Sequence, residues 1–121
     1  MGHLHKDVAV SGEKTVVVRM FVDTGATFSV IPKALARTLG IKPERSLRMT
    51  LADGRRRKVE AGTAIVRIGH REALTTMLVG DVVEPILGAQ TIEVLGLAVD
   101  LRRRRLIPTR PYTIRLGGGF R

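Results

Sequence analysis

Apolar and polar residues alternate along most of this chain, a pattern typical of β-strands with one buried face. Two segments instead show apolar residues at helical spacing: residues 32–39, which begin with Pro32 and precede Gly40, and residues 89–95. The pattern therefore predicts a mostly β fold with one or two short helices. The predicted strands are residues 8–10, 15–22, 28–31, 46–51, 59–68, 73–79, 97–101 and 106–107.

The fourth and fifth of these strands are predicted to form a hairpin. They are separated by Ala52, Asp53, Gly54 and Arg55, and Asp-Gly is one of the strongest short-range signals for a hairpin turn. A tip made of Gly and charged residues has few apolar contacts to hold it down. We therefore expect this tip to be mobile.

The strand at residues 15–22 runs directly into Asp23, Thr24 and Gly25. A carboxylate that follows a run of Val, Met and Phe is directed to a partly buried place, where its charge is costly without a partner or a chemical role. Gly25 lets the backbone turn and lets a ligand approach closely. By itself the tripeptide is a weak signal, because Asp also accepts backbone hydrogen bonds in ordinary tight turns.

Two motifs together resemble the retroviral-type aspartic proteases, the retropepsin-like family. Residues 23–26, Asp-Thr-Gly-Ala, resemble the catalytic loop of that family, and residues 84–88, Glu-Pro-Ile-Leu-Gly, followed by a helix, resemble its second signature. With a hairpin between the motifs, the resemblance covers residues 15–107. It implies a single-lobe acid-protease β-barrel with one or two short helices and a flap hairpin.

The resemblance also implies a role for each matching residue. Asp23 would be the catalytic acid and base, and Thr24 would donate a hydrogen bond across a two-fold axis; the alternative for Thr24 is a β-branched residue that only ends its strand. The hairpin tip would be the flap over a bound peptide, with an ordinary hairpin as the alternative. The implied substrate-binding residues are Gly25, Ala26, Ala52, Asp53 and Gly54.

One copy of the chain supplies only half of such a site, because the chemistry needs two carboxylates that share one proton. The other aspartates, which are Asp7, Asp53, Asp81 and Asp100, are not followed by Thr-Gly or Ser-Gly. A chain of 121 residues is also too short for two catalytic lobes. The second carboxylate must then come from Asp23 of another copy, and the resemblance likewise implies a homodimer that acts on a peptide or protein substrate.

The chain departs from the retroviral pattern at two positions. Retroviral enzymes commonly carry an acidic residue after Asp-Thr-Gly-Ala and an Arg after the later Gly, and the two pair with each other. Here these positions are Thr27 and Ala89. Loss of one partner would leave a buried charge unpaired, whereas loss of both is tolerable.

Composition narrows the fold and the chemistry. The length predicts one domain, residues 1–121, with its core at about 8–107 and a tail at 108–121 that could add a strand at 112–116. With 44% hydrophobic but 3% aromatic residues, the core must be aliphatic. The absence of cysteine excludes disulfides and thiolate sites. Three scattered histidines make no metal constellation, so we expect neither a metal nor a cofactor.

The net charge of +10 supports a second hypothesis. Basic runs at residues 55–58 and 102–105 are both expected in hairpin turns, where a solvated surface is the favoured interpretation. The alternative function is a non-catalytic β-barrel binding module that contacts nucleic acid or an acidic partner through these Arg-rich turns. Nucleic acid is not favoured as a partner, since stacking aromatics are few.

The sequence gives no sign of a membrane partner. Its apolar runs are shorter than the roughly 20 residues that a spanning helix needs. Its first residues lack the apolar core of a secretion signal. We expect a soluble, cytoplasmic protein.

Overall fold

The computed structural model describes residues 3–112 and 117–119. Strands dominate these residues, and the two helices are short. The elements are β1 (His5–Ser11), β2 (Thr15–Val22), β3 (Ser29–Pro32), α1 (Lys33–Leu39), β4 (Arg45–Thr50), β5 (Arg56–Ile68), β6 (Arg71–Gly80), β7 (Ile86–Leu87), α2 (Ala89–Val94), β8 (Leu97–Asp100) and β9 (Arg105–Pro108).

Six strands close into a ring. The main sheet has the order β1-β2-β7-β3-β6-β5-β4, and β1 also pairs with β5, which joins the two sides of the sheet. Strand β4 therefore lies outside the ring and pairs with the first half of β5 as a hairpin. The short strand β7 connects β2, to which it is parallel, with β3, to which it is antiparallel. Strands β8 and β9 form a separate antiparallel pair.

The core fills this ring and is aliphatic, as the composition predicts. Strand β2 shows the alternation clearly: Val18 and Met20 are buried, whereas Val17 is exposed. Helices α1 and α2 add Leu39 and Ile92 to the same cluster. Within the described residues, neither helix is long and apolar enough to cross a membrane. The largest fully buried apolar side chains are Met20, Ile31, Leu39, Met77, Leu87, Leu95, Val8, Val10 and Val66.

The structure corrects the predicted position of the basic run at residues 55–58, which was expected in a hairpin turn. Only Arg55 lies in the turn, because β5 already begins at Arg56 and pairs with Thr50 of β4. The backbone ladder does not depend on side-chain type, so an exposed strand accepts Arg and Lys. Of the second basic run, residues 102–104 lie in a turn and Arg105 begins β9.

The buried face of β5 changes within the strand. Ala61 and Gly62 are both buried, so the side that faces the core changes there and Ile65 lies 41% exposed on the outside. At this point β5 passes from the hairpin into the ring. Gly62 is packed closely: a Cβ added there would lie 3.1 Å from the carbonyl oxygen of Lys42.

A buried arginine joins the end of α2 to the segment after β9. Arg71 is 6% exposed, and its guanidinium donates to the carbonyl oxygens of Leu95 and Gly96, both at 3.1 Å, and of Arg110 at 2.9 Å. It also lies over the ring of Tyr112, 5.6 Å from the centroid. This residue fixes the chain up to Tyr112. Residues 113–116, which contain most of the predicted C-terminal strand, lie outside the described residues.

Removing this guanidinium should destabilise the fold. We expect Arg71→Met, which keeps the apolar stem, to lower the free energy of unfolding by about 1–3 kcal/mol, because buried carbonyl groups lose their donors. Arg67→Met is the matched control, since Arg67 is an exposed residue of β5. Urea denaturation measures both variants, and equal stability of the two would contradict this role.

Candidate active site

Strand β2 ends in a tight turn that carries Asp23. The amide of Ala26 donates to the carbonyl oxygen of Asp23 at 3.1 Å, and the amide of Gly25 donates to Asp23 Oδ1 at 2.9 Å. A Cβ at position 25 would lie 3.2 Å from that carboxylate oxygen, which is tight. Glycine therefore lets the carboxylate fold back over its own turn.

The turn is held from behind by the segment that joins β7 to α2. Asp23 donates its amide to the carbonyl oxygen of Leu87 at 3.0 Å, which continues the β2–β7 pairing. At the other end of the turn, the amide of Ala89 donates to Ala26 O at 2.8 Å and the amide of Gln90 donates to Thr27 O at 2.9 Å. Both ends of the loop 23–27 are thus fixed by backbone hydrogen bonds.

Gly88 permits this close packing. A Cβ added at Gly88 would lie 2.5 Å from both the carbonyl carbon and the carbonyl oxygen of Phe28, and 2.9 Å from the amide nitrogen of Ser29. Backbone cannot yield as the end of a flexible side chain can, so a larger residue would push α2 away from β3. The motif at residues 84–88 therefore ends in Gly for a steric reason.

The two polar side chains at the start of the turn differ in exposure. Asp23 is half-buried, and Thr24 is exposed. Within the described residues, neither Asp23 Oδ2 nor the Thr24 hydroxyl has a hydrogen-bond partner in the same chain. Those residues also contain no group of three or more His, Cys, Asp or Glu side chains placed to hold a metal ion. The roles of Asp23, Thr24, Gly25 and Ala26 stay predictions.

The predicted flap residues form the tip of the β4–β5 hairpin. Gly54, in the left-handed region with φ 87°, donates its amide to Leu51 O at 2.9 Å, and Leu51 donates to Arg55 O at 2.7 Å. Asp53 fixes the tip further, because its carboxylate accepts from the amide of Arg55 at 3.0 Å and from its Nε at 2.7 Å. Among the described residues, no hydrogen bond joins this tip to the Asp23 turn. The substrate-binding roles of Ala52, Asp53 and Gly54 stay predictions.

The two faces of this hairpin differ in chemistry. No residue of β4 is buried, so the hairpin projects from the ring. Leu47 lies opposite Val59, and both are half-buried. On the other face Arg48 lies opposite Lys58, and both are exposed. Like charges directly opposite each other are destabilising, so that face must be open to water and salt.

Comparison with known proteins identifies the family. A family model described as "gag-polyprotein putative aspartyl protease" matches residues 7–96, which is most of the chain and includes both motifs. The chain belongs to this family. The resemblance to retropepsin-like proteases that residues 23–26 and 84–88 indicated is confirmed. No curated protein matches the chain.

The fold of this family member is that of a retroviral protease. The solved structure of EIAV protease complexed with the inhibitor HBY-793 superposes with a TM-score of 0.64. The match covers 83% of this chain and 94% of the other, with 24% sequence identity. At that identity the likeness establishes the fold alone, and it confirms the predicted mostly β, retropepsin-like architecture.

Four residues behind the turn were missed by the sequence analysis. The side chains of Ser29, Thr75, Thr91 and Gln90 form a connected set of hydrogen bonds between β3, β6 and α2. One signal was present: Thr91 is a hydroxyl residue next to Ile92 on the buried side of a short helix. Its partners could not be inferred, because Ser29 lies 62 residues away along the chain.

The hairpin tip has a testable dependence on pH. The amide of Arg55, and secondly its guanidinium, hold the pKa of Asp53 below its ordinary value of 3.8. Because the pKa is lower in the folded protein, the stabilisation of the tip is present above pH 3.8 and is lost as the pH falls through the folded value. Arg55→Met should raise the pKa only part of the way, because the amide remains. Carboxyl NMR titration tests this, and full restoration to 3.8 would assign the effect to the side chain instead.

Proposed function

We propose that the protein is a homodimeric aspartic endopeptidase in which Asp23 of each protomer contributes one carboxylate to a shared site. The observation that carries the proposal is the Asp23 turn. It is fixed from behind by backbone hydrogen bonds, while among the described residues of the chain neither Asp23 Oδ2 nor the Thr24 hydroxyl has a hydrogen-bond partner. Membership of the aspartyl protease family supports this chemistry.

The requirement for a second copy follows from counting carboxylates. Within the sequence, Asp23 alone is followed by Thr-Gly. A two-fold axis through the site would bring two identical turns together and make the two Asp23 side chains neighbours. The hydroxyl of Thr24 would then donate a hydrogen bond to the backbone of the partner turn and keep the carboxylates coplanar.

The proposed reaction is hydrolysis of a peptide bond by one water molecule. One Asp23 is ionised and removes a proton from the water, whose oxygen attacks the carbonyl carbon of the peptide bond. The other Asp23 is protonated and gives its proton to the carbonyl oxygen, which forms a tetrahedral diol. When the C–N bond breaks, the leaving amine takes the proton of the protonated Asp23. One hydroxyl of the diol gives its proton to the ionised Asp23 and becomes the new carbonyl group. The products are a carboxylic acid and an amine.

The β4–β5 hairpin would close over the bound peptide. Its half-buried apolar face, which includes Leu47 and Val59, suits apolar side chains of a substrate. Gly25 would accept a hydrogen bond from a substrate N–H, and Ala26 would leave room for the chain beside it. The tip at Ala52, Asp53 and Gly54 would cover the peptide.

The proposal predicts that peptide cleavage is lost when one carboxylate oxygen of Asp23 is replaced by an amide nitrogen. Asp23→Asn keeps the size of the side chain and removes the acid, so cleavage should fall on the order of a thousandfold or more. The matched control is Asp7→Asn, an exposed position of β1, which should cleave like the wild type. Cleavage of a peptide library at mildly acid pH, followed by mass spectrometry, measures all three proteins. Absence of activity in the wild type, or equal activity in Asp23→Asn, would refute the proposal.

A second candidate function rests on the basic surface. Residues 102–104 form an exposed turn, closed by hydrogen bonds from the amides of Arg102 and Arg103 to Asp100 Oδ1 at 3.1 and 3.2 Å. An open depression of the surface beside it is lined by Asp100, Arg102 and Arg103. Such a turn could bind an acidic partner or the phosphates of a nucleic acid without any use of Asp23.

Salt dependence tests this candidate directly. If the turn neutralises phosphates, binding to a single-stranded oligonucleotide should weaken steeply with salt, and replacing Arg102 to Arg104 by Gln should flatten that dependence. The control for net charge replaces three other exposed arginines by Gln together, namely Arg19, Arg37 and Arg67. Binding that is weak at low salt, or equally affected by both changes, would dismiss this candidate.

A further inference from the structure

Three buried hydroxyl groups lie between β3, β6 and α2, behind the Asp23 turn. Ser29 and Thr91 are 0% exposed, and Thr75 is 3% exposed. Ser29 Oγ lies 2.7 Å from Thr91 Oγ1, and Thr91 Oγ1 lies 2.9 Å from Thr75 Oγ1. Burying a hydroxyl is costly unless it is hydrogen-bonded, so each of these three groups depends on its partners in the cluster.

The direction of every bond in the cluster follows from counting protons. Each hydroxyl has one proton to donate. Thr75 donates to Gln90 Oε1 at 3.0 Å, with the carbonyl oxygen of Thr76 as a longer contact at 3.5 Å; both are acceptors. The proton of Thr91 must therefore go to Thr75, and the proton of Ser29 must go to Thr91.

The first bond of this hydrogen-bond chain is also determined. Ser29 Oγ accepts from the amide of Gly88 at 3.0 Å. The reverse order would leave the Ser29 proton without an acceptor among the described residues, because the group on its other side is a donor. The bonds thus run one way: Gly88 N–H to Ser29, to Thr91, to Thr75, to Gln90 Oε1.

The hydrogen-bond chain begins and ends in the segment that holds the Asp23 turn. Gly88 lies between Leu87, which accepts from the amide of Asp23, and Ala89, which donates to Ala26. Gln90, where the chain ends, donates its own amide to Thr27. Bonds aligned head to tail polarise one another, so the set is stiffer than separate bonds would be.

We propose that Ser29, Thr91 and Thr75 are positioning residues, and that their one-way hydrogen-bond chain sets the placement of the Asp23 carboxylate through the amides of Ala89 and Gln90. The catalytic part of this inference rests on the proposed function. Its structural part, the protection of those two amides, does not.

The central variant is Thr91→Val, which removes the hydroxyl at nearly constant volume. We expect kcat for peptide cleavage to fall on the order of tenfold or more, with KM and the dimer mass unchanged, because a slightly misplaced carboxylate affects the reacting geometry rather than binding. Thr91→Ser restores the hydroxyl and should restore kcat. Thr63→Val, at an exposed position of β5, is the matched control and should behave like the wild type.

Amide hydrogen exchange gives a readout that does not need activity. In Thr91→Val the amides of Ala89 and Gln90 should exchange on the order of tenfold faster, because the helix start that orients them is looser. Amides in the middle of the β5–β6 ladder should keep their protection. If Thr91→Val does not fold, Thr75→Val breaks the same chain one bond further on and is measured in the same way.

The donor-to-acceptor direction of the hydrogen-bond chain has its own test. At neutral pH, Gln90→Glu supplies only acceptors, so it should keep the bond from Thr75 and the protection of both amides, whereas Gln90→Leu should lose both. Loss in Gln90→Glu as well would overturn the proposed direction.

Unchanged protection at Ala89 and Gln90 in Thr91→Val, or equal loss throughout β5 and β6, would overturn the positioning role. If the wild type cleaves no peptide, the proposed function fails, and the exchange experiment alone decides this inference.

Discussion

The backbone hydrogen bonds between the Asp23 turn and the β7–α2 segment fix the most important geometry in this protein. A carboxylate at the end of a strand has little to orient it, because the strand ends where the turn begins. Here Leu87 accepts from the amide of Asp23, and the first amides of α2 donate to Ala26 and Thr27. The two sequence motifs therefore meet in space for a mechanical reason: each supplies the backbone partners that the other lacks.

The same arrangement explains how the chain does without the charged pair of retroviral enzymes. The positions of that pair are Thr27 and Ala89, and both still take part through their backbones, Thr27 as acceptor and Ala89 as donor. Neutral residues at both positions leave neither position with a charge that lacks its partner. The uncharged hydrogen bonds behind the turn, centred on Thr91, add rigidity where an ion pair is missing.

The sequence predicts both helices, a turn at Asp23 and every strand except β7, because alternation and Gly positions are local signals. Strand β7 has only two residues, too few to show an alternation. The sequence places Arg56 in a turn, although the structure puts it in β5, since charge says little about backbone pairing on an exposed hairpin. It also misses the contact between Ser29 and Thr91, and the buried Arg71, because these depend on residues brought together only by the closed ring. Local sequence patterns predict the strands and helices. The hydrogen bonds that hold the site join residues far apart in the sequence, so local patterns do not reveal them.

The central claim is that one site needs an Asp23 carboxylate from each of two protomers. Its most direct test mixes wild-type protein with Asp23→Asn protein in equal amounts, lets the protomers exchange, and measures cleavage at constant total protein. If both carboxylates are required, only dimers of two wild-type chains are active, and activity should be about one quarter of that of the wild type alone. Activity of about one half would mean that each wild-type chain works by itself, and it would contradict the shared site.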